Sequence, residues 1–222
     1  MVDHKKEPKK PWPTQAVMDQ IYKQNFWGGS ESDFYSGDGS YDPSIVEPYL
    51  KAVASFLSDF NEPISVCDLG CGDFNIGKEL VSFCKQYVAV DIVPDLIAHN
   101  KSKFQFENLT FQCIDIANEN LPLGDCAILR QVLQHLSNSE VLRIVNKLQQ
   151  YKYLIVTEHI PEGKFIPNAD IISGQGIRLK KKSGIDLLAP PFNLKVKSSM
   201  ELCKTHLANQ KGIIMTMLFT LR

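Results

Sequence analysis

Between Ile64 and Thr157 the chain alternates short apolar runs with stretches of helical spacing, and this alternation limits the fold more than any other feature. The runs at 64–69, 86–91, 109–113, 125–130 and 151–157 are nearly continuous in Val, Ile, Leu, Tyr and Phe. At that length and composition they read as strands covered on both faces. Between them, 75–84, 94–103 and 137–148 carry helical patterns, and Ser137-Asn-Ser-Glu140 before Val141-Leu142 is a capping box for the last. Strands and helices in alternation close into a parallel sheet with helices on both faces.

The flanks differ from this core. Residues 1–13 are rich in Lys and Pro and read as a disordered lead-in. Ala16, Val17, Ile21 and Tyr22 predict a short helix over 14–24. The segment 25–41 combines four glycines and five aromatics without periodicity, which suits a ligand-covering loop. Ile45, Tyr49, Val53, Phe56, Leu57 and Phe60 mark a helix begun by Pro43 or by a Ser44–Glu47 capping pair. After His159 the pattern predicts a hairpin, 177–180 with 185–188, and then two closing strands near 194–203 and 211–221 that add antiparallel. One domain over 14–222 is expected, with 160–192 as an insertion.

Composition excludes several classes. Lys and Arg total 24 against 25 Asp and Glu, so no broad basic field exists for general nucleic-acid binding. No apolar run reaches the roughly 18–20 residues of a membrane span, so no membrane partner is expected. The charged stretch Met1 to Lys10 is followed by no apolar signal core. The six cysteines form no C-x-x-C and meet no paired histidines, so no metal is expected and they read as small buried hydrophobes. A cytoplasmic location is expected on that usage.

The chemistry concentrates at Ile64-Ser-Val-Cys-Asp-Leu-Gly-Cys-Gly-Asp-Phe-Asn-Ile-Gly77, a buried strand entering a glycine turn. Gly70 and Gly72 allow a tight turn that a ligand can approach closely. A Walker loop would need Ser or Thr after Gly77-Lys78, where Glu79 stands. A dinucleotide fingerprint would need glycine at position 75, which is Asn.

With Asp68-Leu-Gly-Cys-Gly72 as its first motif, the chain resembles the class I S-adenosylmethionine-dependent methyltransferases over roughly residues 42–160. Val88-Ala-Val-Asp91 looks like the family's second motif, Phe111-Gln-Cys-Ile-Asp115 its third, and Leu121 to Leu136 its fourth with the following helix. The resemblance implies a Rossmann-like, doubly wound, mostly parallel seven-stranded α/β sheet, with antiparallel C-terminal strands and the inserted hairpin of 160–192 on the substrate side. It also implies S-adenosyl-L-methionine as cofactor. Asp91 would hold the ribose hydroxyls, and its distance of 23 residues from Asp68 suits one βαβ unit. Asp115 would lie by the adenine amino group. Asp68, Gly70, Cys71, Gly72, Ile92, Ile116, Arg130 and Gln131 complete the expected cofactor contacts, with Trp27 from the loop above. Capping or bracing roles stay open for Asp68, Asp91 and Asp115.

The sulfonium already makes the methyl group electrophilic, so the protein must align an acceptor and, for a hydroxyl, remove a proton. The candidates at the strand ends are His135, Glu158 and His159. The acceptor expected is a hydroxyl or amine of a small molecule, because the extra segments are short. A protein or peptide acceptor, and a non-catalytic cofactor-binding interaction module, are the alternatives. Lys180-Lys-Lys182 reads as a solvated hairpin edge or as a patch for an anionic substrate.

Overall fold

The computed structural model describes residues 12–29, 34–207 and 211–222, so nearly all of the expected lead-in lies outside the described residues. One mixed sheet forms from β1 (Ser65–Leu69), β2 (Gln86–Asp91), β3 (Leu109–Cys113), β4 (Cys126–Arg130), β5 (Tyr153–Ile160), β6 (Ser198–His206) and β7 (Ile213–Thr220). Its order is β3-β2-β1-β4-β5-β7-β6. The first five strands are parallel, β7 is antiparallel to β5, and β6 is antiparallel to β7. Only β7 therefore runs against the rest.

Period-two alternation explains why both faces are covered. Cys67 and Leu69 of β1, Val88 and Val90 of β2, and Ala127 and Leu129 of β4 enter one core. That core also takes Met18, Ile21 and Tyr22 of α1 (Thr14–Lys23) and Val141, Ile144 and Leu148 of α4 (Asn138–Leu148). Their neighbours Val66, Tyr87, Ala89, Cys126 and Ile128 enter the other, with Tyr49, Val53 and Leu57 of α2 (Pro43–Ser58). The fourth helix, α3 (Pro94–Lys103), packs on β2 and β3.

The Ser137–Glu140 capping box is formed. At α2 the cap is Asp42, whose side chain accepts from Ser44 N, with Pro43 in the first helical position; the Ser44–Glu47 pair is not the cap. Two expectations fail. Residues 75–84 make two 3₁₀ turns, Gly77–Glu79 and Val81–Phe83, rather than a helix. Phe74 adopts φ +60° and buries its ring among Tyr87, Phe104 and Phe111. A Cβ on Gly77 would lie 2.3 Å from that ring, so the tight turn follows from seating Phe74.

The hairpin at 177–188 is also absent. Arg178–Lys181 is a 3₁₀ turn closed by Lys182 at φ +53°, and Ile185 and Leu187 go into the core from irregular backbone. Asn168 holds this segment, donating to Asp186 O and Pro190 O and accepting from Asp186 N. With no strand there, Lys180 to Lys182 guard no sheet edge. Among the described residues no helix is long and apolar enough to cross a membrane.

Candidate functional site

A cavity of about 570 Å³ opens at the carboxyl ends of β1, β2 and β4, roofed by α1 and by residues 36–40. The chain order reverses between β1 and β4, and this is where open α/β sheets place ligands.

Its floor is the glycine turn. Gly70 N and Cys71 N both donate to Val90 O, which ties the turn to the end of β2. Gly70 has φ +98°, and a Cβ there would also lie 2.4 Å from Val132. Asp91 accepts from Gly72 N through Oδ2 and from Val93 N through Oδ1, each at 3.1 Å. Burial pushes its carboxyl up to about 6, against the pull of those N–H groups. Asp68 is buried and accepts from Tyr87 Oη at 3.0 Å, and burial raises its carboxyl to about 7.

Asp115 lines the cavity beside Ile92, Ile114 and Ile116. Its carboxylate accepts from Ala117 N, Asn118 N and Asn118 Nδ2, so it also turns the chain.

The roof is a strap held by side chains from across the sheet. Asp73 accepts from Ser36 N (2.8 Å) and Tyr41 Oη (2.9 Å), and its own N–H donates to Ser36 Oγ (2.9 Å). Asn75 Nδ2 donates to Ser40 O at 2.7 Å. Arg130 donates to Gly39 O and, at 3.4 Å, to Ser40 Oγ. A Cβ on Gly72 would lie 2.4 Å from Ser36 Oγ, and one on Gly39 2.5 Å from Gln131 Nε2. These glycines let the strap lie directly on the site. Asp73 and Asn75 were not among the expected site residues. Their position after the second glycine is a signal, but their partners are more than thirty residues away.

The remaining wall carries His135 on a 3₁₀ turn, Leu133–His135. Gly174 O is 3.1 Å from His135 Nδ1 and can only accept, so the proton sits on Nδ1. Nε2 then holds the lone pair and accepts from Gln134 Nε2 at 3.2 Å. Burial lowers this imidazole to about 4, which keeps it neutral. Trp27 packs with its ring centroid 5.3 Å from that of His135 and 5.2 Å from that of Tyr22.

All the expected cofactor contacts (Trp27, Asp68, Gly70, Cys71, Gly72, Asp91, Ile92, Asp115, Ile116, Arg130 and Gln131) line this one cavity, together with His135. Glu158 and His159 do not. Both Glu158 oxygens accept backbone N–H groups, from Leu133 and Gln134, each at 2.9 Å. His159 Nε2 pairs with Lys211 O at 2.8 Å. Both Glu158 oxygens and His159 Nε2 are thus taken up by backbone, and neither residue lines the cavity.

Residues 66–151 match the family model of the methyltransferase domain. A Chlamydia pneumoniae protein described as an uncharacterized RNA methyltransferase is 27% identical over 172 residues, covering 70% of this chain and 42% of its own. The chain thus spans less than half the length of that relative. The N-methyltransferase NodS of Bradyrhizobium japonicum, solved with S-adenosyl-L-homocysteine, superposes with TM-score 0.65 at 12% identity, over 92% of this chain and 98% of its own. Magnesium protoporphyrin IX methyltransferase of Synechocystis gives TM-score 0.60 at 15% identity, over 93% and 99%. The match of residues 66–151 to a methyltransferase domain, the motifs in order and the sheet order make the chain similar to the class I S-adenosylmethionine-dependent methyltransferases, whose fold it shares.

Proposed function

We propose that the chain binds S-adenosyl-L-methionine in this cavity and methylates an amine or hydroxyl of a small molecule. The observation that carries the reading is the joining of Asp91, the 70–72 turn and His135 around one space of about 570 Å³. That volume falls within the roughly 300–1,000 Å³ typical of cofactor and ligand pockets. The residues suit the group. Each Asp91 oxygen accepts one N–H and keeps acceptor capacity for a ribose hydroxyl. Ile92, Ile114 and Ile116 offer an apolar slot for a planar base beside Asp115, and the Trp27 face suits a cation.

When bound, the cofactor supplies a methyl group already activated by the sulfonium. The chain's own part is to align the acceptor and to exclude water. The strap and Trp27 cover the site. His135 is the neutral base among the lining groups, but a base near 4 whose lone pair already accepts from Gln134 takes protons poorly. That favours an amine, which attacks as the free base, over an unactivated hydroxyl. Thr14, Met18, Gln175, Gly176, Ile177 and Lys180 line the same cavity and would shape the acceptor.

A second reading is an RNA acceptor, suggested by the description of the Chlamydia relative. Near-neutral charge weighs against it. Transfer from methyl-labelled S-adenosylmethionine into cell extract, split into small-molecule, protein and RNA fractions, separates these. Label confined to RNA or protein would overturn the small-molecule acceptor. No melting shift with S-adenosylmethionine would overturn the cofactor.

A further inference from the structure

Arg130, at the carboxyl end of β4, is a cation without an anion. It is half-buried, lines the cavity and stacks its guanidinium 4.7 Å from the centre of the Tyr49 ring. Among the described residues no carboxylate lies within ion-pair distance. Asp68 and Asp73 are the acids whose charge reaches it. Its two recorded bonds go to neutral acceptors of the strap, Gly39 O and Ser40 Oγ, and its Nε has no partner. A guanidinium carries five N–H donors, so at least half of its capacity is unspent. Desolvating a cation on these terms is unfavourable unless an anion completes the site.

The register shows where that anion would be. Asp91 ends β2 and Arg130 ends β4, with β1 between them, so the two stand two strand spacings apart, roughly 10 Å. If ribose lies at Asp91, the amino-acid end of the same ligand extends across β1 toward Arg130. That end carries the ligand's one carboxylate.

We propose that Arg130 is a shared clamp: one guanidinium holds the ligand carboxylate and the Gly39–Ser40 strap together, so a ligand with its carboxylate tightens the strap that Asp73 and Asn75 already hold. This rests on the cofactor reading above. The planar fork suits both tasks, since one edge can take a carboxylate while other N–H groups keep the strap. Lysine offers no such divided geometry.

The test titrates three ligands by calorimetry: S-adenosyl-L-homocysteine, its decarboxylated analogue and 5′-methylthioadenosine. Wild type should bind the first more tightly than the decarboxylated analogue by roughly 10- to 100-fold, the range of a charge-assisted pair. Arg130→Met should lose that preference and bind both with the analogue's affinity, and Arg130→Lys should fall between. Hydrogen exchange supplies the second readout. Amides 36–41 should gain protection with S-adenosyl-L-homocysteine and not with 5′-methylthioadenosine. Wild-type affinities for the first two ligands within about twofold would overturn the clamp without recourse to any variant. So would equal protection by all three ligands. Binding of 5′-methylthioadenosine without carboxylate preference sinks the clamp alone, whereas no binding of any ligand sinks the cofactor reading with it.

Discussion

Glu158 and Arg178 grip the same short turn from opposite sides. Glu158 accepts the N–H groups of Leu133 and Gln134, while Arg178 donates to the carbonyls of Leu133, Gln134 and Leu136 and to Asn138 Oδ1. A short 3₁₀ turn leaves most of its backbone polar groups unpaired, and here an acid takes one kind and a cation the other. His135 and Gln134 owe their positions in the site wall to that grip.

Arg178 is only 1% exposed, so truncating it strands buried carbonyls. Arg178→Met should cost about 2–4 kcal/mol of stability, more than a surface arginine would. Urea denaturation measures it. A loss under about 0.5 kcal/mol would mean the carbonyls find other partners.

The grip also predicts a pH dependence. Burial raises the Glu158 carboxyl to about 8, while the two N–H groups and Arg178 act the other way. From the ordinary glutamate range up to about 8, the folded chain then holds a proton that the unfolded chain has lost. Stability from this group therefore falls as pH rises through that window. Glu158→Gln removes the titration. Melting curves across pH 5–8, roughly that window, should show a flatter decline for the variant, and parallel curves would refute the assignment.

The strands, α4 with its cap and the acid at the end of β2 were legible because each is written locally. An unbroken apolar run marks Tyr87 to Val90, and Ser137 and Glu140 stand three residues apart. The brace, the strap and the missing hairpin were not legible, for one common reason. Glu158 looks like an acid at a strand end, and its commitment to Leu133 N and Gln134 N depends on a segment 25 residues earlier. Arg178 in a Lys-rich stretch looks solvated, yet it is buried against β4's following turn. Asn75 counted only as a missing glycine, although its amide holds Ser40. Sequence spacing carries no trace of such distant pairings.

Trp27 separates packing from covering. It is half-buried against Tyr22 and His135, so Trp27→Ala should cost about 1–2 kcal/mol of stability. Turnover should fall further than that, by roughly tenfold or more, because His135 loses its neighbour and the cavity its cover. Steady-state kinetics beside thermal melts decide it. Unfolding without a separate kinetic effect would make the tryptophan a packing residue only.

Asp91 bears the sharpest prediction, because its two oxygens serve the fold and the ligand at once. Gly72 N and Val93 N each use one oxygen, and the remaining acceptor capacity is what two ribose hydroxyls would take. Hydrogen bonds to a charged acceptor contribute about 1.5–3 kcal/mol each in favourable settings, and water restores part when the side chain is cut. Asp91→Ala should therefore weaken S-adenosyl-L-homocysteine by about 2–3 kcal/mol, or roughly 30- to 150-fold. Folding should also lose about 1–3 kcal/mol, since two N–H groups lose their acceptor. Binding should follow the carboxyl's own titration. Burial holds it near 6 in the free protein, and the hydroxyls prefer the ionised form. Affinity should rise as pH climbs through about 6 and level off above, while Asp91→Asn, which cannot ionise, should bind more weakly and without that rise. Calorimetry of the three proteins from pH 5 to 8, roughly a unit or more either side, measures both effects. A folded Asp91→Ala variant with wild-type affinity would reduce this acid to a brace for the glycine turn and place the ribose elsewhere.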